Sequence, residues 1–235
     1  MRVGFDDVGL EQAVLRALEM ISGGGKTYVV TPNPEIVWLC RKSEALRDVV
    51  NNAGLVLPDG IGIILGAKIL GTPMHGGRVP GIDFVSALFG EMAKSGGRVF
   101  LLGAKPGVAE EAGTKLAEKH SGLVIAGTAD GYFSDSHALI ETINSAAPDL
   151  LLVCLGSPKQ ELWISENIGR LNVPLSAGLG GALDVFAGNV NRAPAFWQKL
   201  GLEWLYRIIK EPRRLKRSLS LPLFALGVIF SRFKT

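Results

Sequence analysis

Residues 54–81 read GLVLPDGIGIILGAKILGTPMHGGRVPG. The stretch opens as a short buried strand, Leu55 to Leu57, and breaks at Pro58-Asp59-Gly60. Proline fixes φ and lacks a donor, while glycine permits positive φ. An apolar run of helical length follows, Ile61 to Leu70, then a loop from Thr72 to Gly77 that ends in Arg78. The order is strand, tight break, helix. It puts one carboxylate at a strand end and one guanidinium on the next loop. Two readings of Asp59 stand side by side here. It caps the following helix, since Asp is a favoured N-cap, or it is an acid placed for chemistry.

The same alternation runs through the chain in both directions. Towards the N-terminus, residues 2–5 read as a short strand and Leu10 to Ile21 as an amphipathic helix with Val14, Leu15, Leu18 and Ile21 on one face. Thr27 to Thr31 is a strand, and a helix runs from Pro34 to about Asn51. Thr31 and Asn33 therefore lie at a strand's carboxyl end, where open α/β sheets bind ligands. Towards the C-terminus, strands are expected at Arg98–Gly103, Leu123–Ala126, Asp149–Leu155 and Val173–Ala177. Helices are expected at Ile82–Ser95, Val108–His120, His137–Ala146 and Lys159–Leu171. The fold class is α/β: a Rossmann-like, mainly parallel sheet with helices on both faces.

Ala193-Pro194 marks a change of character, so residues 1–195 read as the catalytic α/β domain and 196–235 as a membrane-associating appendage. Trp197 to Lys210 reads as a helix, Arg213 to Arg217 as a basic run, and Ser218 to Phe230 as an apolar segment interrupted by Pro222. The apolar segment is far shorter than the roughly 20 residues of a spanning helix. Basic residues beside an apolar face suit an interfacial anchor. The plainer reading is a helix packed on the domain or on a second subunit.

The 235 residues are 47% hydrophobic and 20% charged, enough for one substantial core. The net charge of +3 is unevenly placed. Residues 196–235 hold nine Lys/Arg against two acids, a local charge of +7, so the first 195 residues carry −4. Such asymmetry calls for an anionic partner. Cys40 and Cys154 sit in apolar surroundings and read as buried thiols; the three histidines show no metal-ligand spacing. The N-terminus, MRVGFDDVG, carries acids and no apolar leader segment.

Three further strand ends could carry chemistry. Gly103 and Gly107 would let a phosphate approach backbone N–H groups, and Lys105 could reach a diphosphate. The stretch is neither G-x-G-x-x-G nor a Walker sequence. The next strand ends at Asp130-Gly131-Tyr132, a place where ribose or base is held in such folds. Gly156-Ser157-Pro158-Lys159-Gln160-Glu161 adds an amide and an acid at a helix start, where Glu161 also suits the helix dipole. The chain has no Asp-x-Asp pair to hold a cation beneath a diphosphate, so arginines must offset that charge.

Taken in order, Thr31-Pro-Asn33-Pro-Glu35, Pro58-Asp59-Gly60, Arg78-Val-Pro-Gly81, Asp130-Gly-Tyr132-Phe133, Gly156-Ser-Pro-Lys-Gln160-Glu161, Arg192-Ala-Pro194 and Gly201-Leu-Glu-Trp-Leu-Tyr-Arg207 strongly resemble the WecG/TagA/CpsF family of bacterial glycosyltransferases. The resemblance covers nearly the whole chain. It implies transfer of N-acetylmannosamine from a UDP donor to undecaprenyl-diphosphate-linked GlcNAc on the cytoplasmic membrane face, in building wall teichoic acid or a related surface polymer. It implies inversion at the anomeric carbon, no cofactor and no metal. It assigns Asp59 as general base and Thr31, Asn33, Arg78, Gln160 and Asp184 as active-site positions. It adds Arg207, Arg214 and Arg217 as tail arginines that close over the diphosphate. It also implies that the tail docks to an anionic membrane and bears on homo-oligomerisation. Another donor, UDP-ManNAcA or UDP-glucose, is the alternative. A nucleotide-binding oxidoreductase and a nucleic-acid or membrane adaptor are the competing classes, and no nucleic-acid partner is expected.

Overall fold

Strands that are apolar at almost every position must be covered on both faces. The computed structural model, which describes residues 2–210 and 220–233, meets that demand with one parallel sheet of six strands. They are β1 (Thr27–Val30), β2 (Leu55–Val56), β3 (Arg98–Gly103), β4 (Val124–Ala129), β5 (Leu150–Cys154) and β6 (Leu175–Gly178), in the order β2-β1-β6-β5-β3-β4. Val29 pairs with Leu55, Thr27 and Leu150 with Leu175, and Val99 with Leu150. Alternate residues face opposite layers. On β5, Leu150, Leu152 and Cys154 join one core, and Leu151 and Val153 the other.

The first layer is built by α1 (Leu10–Ser22), α5 (Gly81–Ala93), α6 (Val108–Lys119) and α9 (Ala182–Phe186). The second holds α2 (Pro34–Lys42), α3 (Glu44–Asn51), α7 (Ser136–Ala146) and α8 (Lys159–Asn167). Helix α4 (Ile61–Leu70) lies beyond the sheet edge. It is roofed by the last described helix, α12 (Ser220–Arg232), through Phe224, Val228, Ile63 and Val37. Gly66 of α4 makes that contact possible, because a Cβ there would sit 3.1 Å from the Phe224 ring. Between body and roof run α10 (Ala195–Lys199) and α11 (Glu203–Lys210). Among the described residues no helix is long and apolar enough to cross a membrane.

Several sequence expectations need correction. Residues 2–5 form no strand. That segment runs beside β2, but side chains do most of the pairing: Asn51 accepts from Gly4 N at 3.0 Å, and Asp6 Oδ2 takes the Val56 N–H at 2.8 Å. The helix expected from Pro34 to Asn51 is two, because Ser43 turns extended and its hydroxyl caps α3 by accepting from Leu46 N. The helix expected from Trp197 to Lys210 is also two. Gly201 breaks it with φ +71°, lying close against Ile61. Pro222 does not interrupt α12, which runs unbroken from Ser220 to Arg232. Cys40 and Cys154 are both buried, and burial pushes their thiols up to about 11 and about 12.

Candidate active site

At the carboxyl edge of β1, β2 and β6 the chain leaves the sheet and opens a cavity of about 500 Å³. Thr31, Asn33, Asp59 and Arg78 all line it, so four of the sequence-predicted residues meet in one place. The local reasons differ. Thr31 is the first residue past β1, and at 8% exposure its hydroxyl is nearly buried. Gly81 lets α5 come that close, since a Cβ there would lie 3.0 Å from Thr31 Oγ1. Asn33 caps α2, its Oδ1 accepting from Ile36 N at 3.0 Å. That leaves its amide nitrogen as the group available to a ligand.

Asp59 is half-buried, just beyond β2. The residue in the N-cap position of α4 is Gly60, with φ +99°, so the simple capping reading of Asp59 is not what the backbone adopts. Arg78 arrives on a loop pinned from behind. Asp7 Oδ1 accepts from Gly76 N at 2.7 Å, and the backbone N–H groups of Gly76 and His75 hold the Asp7 carboxyl below its usual range.

Three helix N-termini converge on the same space: Pro34 and Glu35 of α2, Ile61 and Gly62 of α4, and Gly81 and Ile82 of α5 all line it. The positive dipole ends of these helices favour an anion. With Arg78 they supply positive potential beside the three acids that line the same space, Glu35, Asp59 and Glu203. Among the described residues, no group of three His, Cys, Asp or Glu is arranged to hold a metal ion.

The appendage supplies residues that sequence reading gave no role. Glu203 of α11 also lines the cavity, and its Oε2 lies 3.6 Å from Arg78 Nη1. Arg78 Nη2 donates to the Gln198 carbonyl. Arg192 bonds Glu203 Oε1 at 3.2 Å and clamps Asp83 of α5 with both terminal nitrogens. The available signal was that Glu203 is one of only two acids in a strongly basic tail. The Arg207 side chain, and all of Arg214 and Arg217, lie outside the described residues.

Gln160 and Asp184 do not line the cavity; they support its wall. Gln160 is 3% exposed, and its Oε1 accepts from Gly180 N at 2.7 Å, next to the cavity residue Gly181. Its Nε2 donates to Glu161 Oε1 at 2.9 Å. Asp184 lies in α9 between the lining residues Ala182 and Val185, and its carbonyl accepts from Asn189 and Val190. Gly103, Lys105, Asp130 and Tyr132 form a second group farther along the edge, on β3 and β4. Lys105 is exposed, and so is Tyr132, at 70%. Asp130 Oδ1 accepts from Tyr132 N at 2.7 Å, and Gly131 N bonds the Ala104 carbonyl, which ties the two loops together.

Glu161 is 1% exposed, and burial raises its carboxyl above the ordinary value. A raised acid in the folded state makes the folded state bind more protons. Its stabilising effect is then complete in acid and is lost as pH rises from the ordinary glutamate range through the raised value. Glu161→Gln removes that dependence while its Oε1 can still accept from Gln160. Thermal melts should show the variant gaining on the parent from pH 5 to pH 8; parallel melting curves would show that Glu161 has no such coupling.

Across residues 1–235 the chain matches the model of the family described as Glycosyl transferase WecG/TagA/CpsF family. It is 38% identical over 201 residues to the N-acetylglucosaminyldiphosphoundecaprenol N-acetyl-beta-D-mannosaminyltransferase of Bacillus subtilis, covering 86% of this chain and 78% of that one. It is 36% identical over 202 residues to the protein of the same name from Bacillus spizizenii, with the same coverage.

Proposed function

The chain belongs to the WecG/TagA/CpsF family of glycosyltransferases, and from that premise we propose that it transfers N-acetylmannosamine from UDP-ManNAc to undecaprenyl-diphosphate-linked GlcNAc, with inversion and without a metal ion. The observation that carries this reading is the meeting of Asp59, Arg78 and three helix N-termini in one cavity.

Inversion by a single displacement needs a base on the acceptor hydroxyl and charge stabilisation at the leaving group. Asp59 takes the hydroxyl proton as the acceptor oxygen attacks the anomeric carbon. The bond from that carbon to the UDP oxygen breaks, and the electron pair leaves with UDP. Arg78 and the N-termini of α2, α4 and α5 offset the growing negative charge. Thr31 and the Asn33 amide orient the sugar, Gln160 holds the loop at Gly180-Gly181, and Asp184 fixes the turn after α9. The nucleotide extends towards Gly103, Lys105, Asp130 and Tyr132. Arg207, Arg214 and Arg217 add charge when the tail closes.

The appendage, residues 196–235, is read as the membrane contact on the inner face of the cell membrane. Leu223, Leu226, Ile229, Phe230 and Phe233 are all exposed on or just after α12, next to a strongly basic stretch of sequence.

The test is turnover with UDP-ManNAc, UDP-ManNAcA and UDP-glucose against a lipid-diphosphate-GlcNAc acceptor, with and without EDTA. Transfer from UDP-ManNAc that survives EDTA is expected. Preference for another donor would revise the sugar, and loss in EDTA would overturn the metal-free scheme.

A further inference from the structure

The cavity changes character along its length. One end is polar, with Thr31, Asn33, Asp59 and Arg78. The other is walled mainly by carbon, with Leu65 and Ile69 of α4, Trp204 and Ile208 of α11 and Leu221 and Phe224 of α12, and with Glu203 and Ser220 as the polar neighbours of that wall. We infer that this apolar half holds the first isoprene units of the acceptor's lipid. The inference rests on the lipid-linked acceptor proposed above.

A sugar needs hydroxyl and amide partners over its whole outline, and this half offers few. An alkyl chain needs only apolar surface that is otherwise left wet. Such surface is present: Leu65 is 52% and Ile69 37% exposed, although both line the cavity. Ala225, on the facing helix, is also exposed and also lines it. The half is thus a groove open to the outside, not a closed core.

Its position suits a chain attached to the reacting sugar. Helix α4 starts two residues after Asp59, and Ile61, Leu65 and Ile69 fall on one stripe at spacing i, i+4, i+8. At 1.5 Å per residue that stripe carries the wall about 12 Å away from the acid. Beyond its far end the surface stays apolar, with Leu226, Ile229 and Phe230 of α12 exposed. There Arg232 Nη1 donates to the Ile69 carbonyl at 2.7 Å, fixing α12 over the end of α4. The relatives' acceptor, by its name, joins an undecaprenyl chain through a diphosphate to the sugar that is modified. A chain leaving Asp59 along α4 meets a mainly apolar wall.

The test compares GlcNAc-diphosphate esters of farnesol and of ethanol as acceptors for the full-length chain, without membranes or detergent. Wild type should show a KM for the farnesyl acceptor at least about tenfold below that for the ethyl one, since each buried methylene favours binding severalfold. In Leu65→Asn/Ile69→Asn that ratio should fall to near one. Both positions are substantially exposed, so folding should survive. Ala225→Trp, which narrows the mouth without making it polar, should raise the farnesyl KM and spare the ethyl one. Equal KM values in wild type, or an unchanged ratio in the variants, would overturn the groove while leaving transferase activity in place. No transfer to either acceptor would instead strike at the proposed reaction itself.

Discussion

Asp59→Asn should bind UDP as the parent does and turn over roughly 10²-fold more slowly or worse. The amide keeps the volume of the carboxylate and one acceptor oxygen but cannot take a proton. Backbone geometry argues that little else will change. Asp59 lies one residue before the N-cap position of α4, and Gly60 adopts the positive φ that turns the chain there. The residue stands between the buried Pro58 and Gly60 and keeps its place in the cavity wall. Calorimetry of UDP binding and steady-state UDP release separate the two effects. A variant that turns over at near-normal rate would return Asp59 to a structural role, and a base would have to be sought among other cavity acids.

The second large effect is on stability. Gly103→Ala should cost about 3 kcal/mol or more, with or without nucleotide. Gly103 ends β3 with φ +130°, a region L side chains rarely enter. A Cβ there would lie 2.4 Å from the Cys154 carbonyl oxygen, across the ladder between β3 and β5. The neighbour is backbone in the middle of the sheet and cannot step aside. At about 2–4 °C per kcal/mol for a chain of this size, the melting temperature should fall by roughly 6–12 °C. Sequence reading took Gly103 as a residue that lets phosphate approach. The geometry gives it a further, prior reason to be glycine. A variant of unchanged stability that loses only nucleotide affinity would remove that reason.

What could be read from the sequence follows from the range of the interactions involved. Strands such as Leu150–Cys154 are buried on both faces, so their apolar runs announce them. The strand ends then follow, and with them the meeting of Thr31, Asn33, Asp59 and Arg78, because a parallel sheet gathers its carboxyl ends on one edge. Local competition was harder to see. Ser43 could have continued a helix, and only its capping bond to Leu46 shows that it does not. Long-range pairing was not readable at all. Arg192 meets Asp83 across 109 positions, and Glu203 reaches Arg78 from the far side of the same clamp. Gln160 looked like a ligand contact from its motif, and the structure shows it supporting the loop at Gly180. Side-chain direction at a buried position depends on neighbours that periodicity does not supply.

The ion pair between Arg78 and Glu203 ties two equilibria together. A guanidinium has five N–H donors, so Arg78 can face the carboxylate from α11 and still reach an incoming diphosphate. Whatever α11 docking does to nucleotide affinity, the nucleotide does to α11 docking by the same factor, because coupling between two binding events is reciprocal.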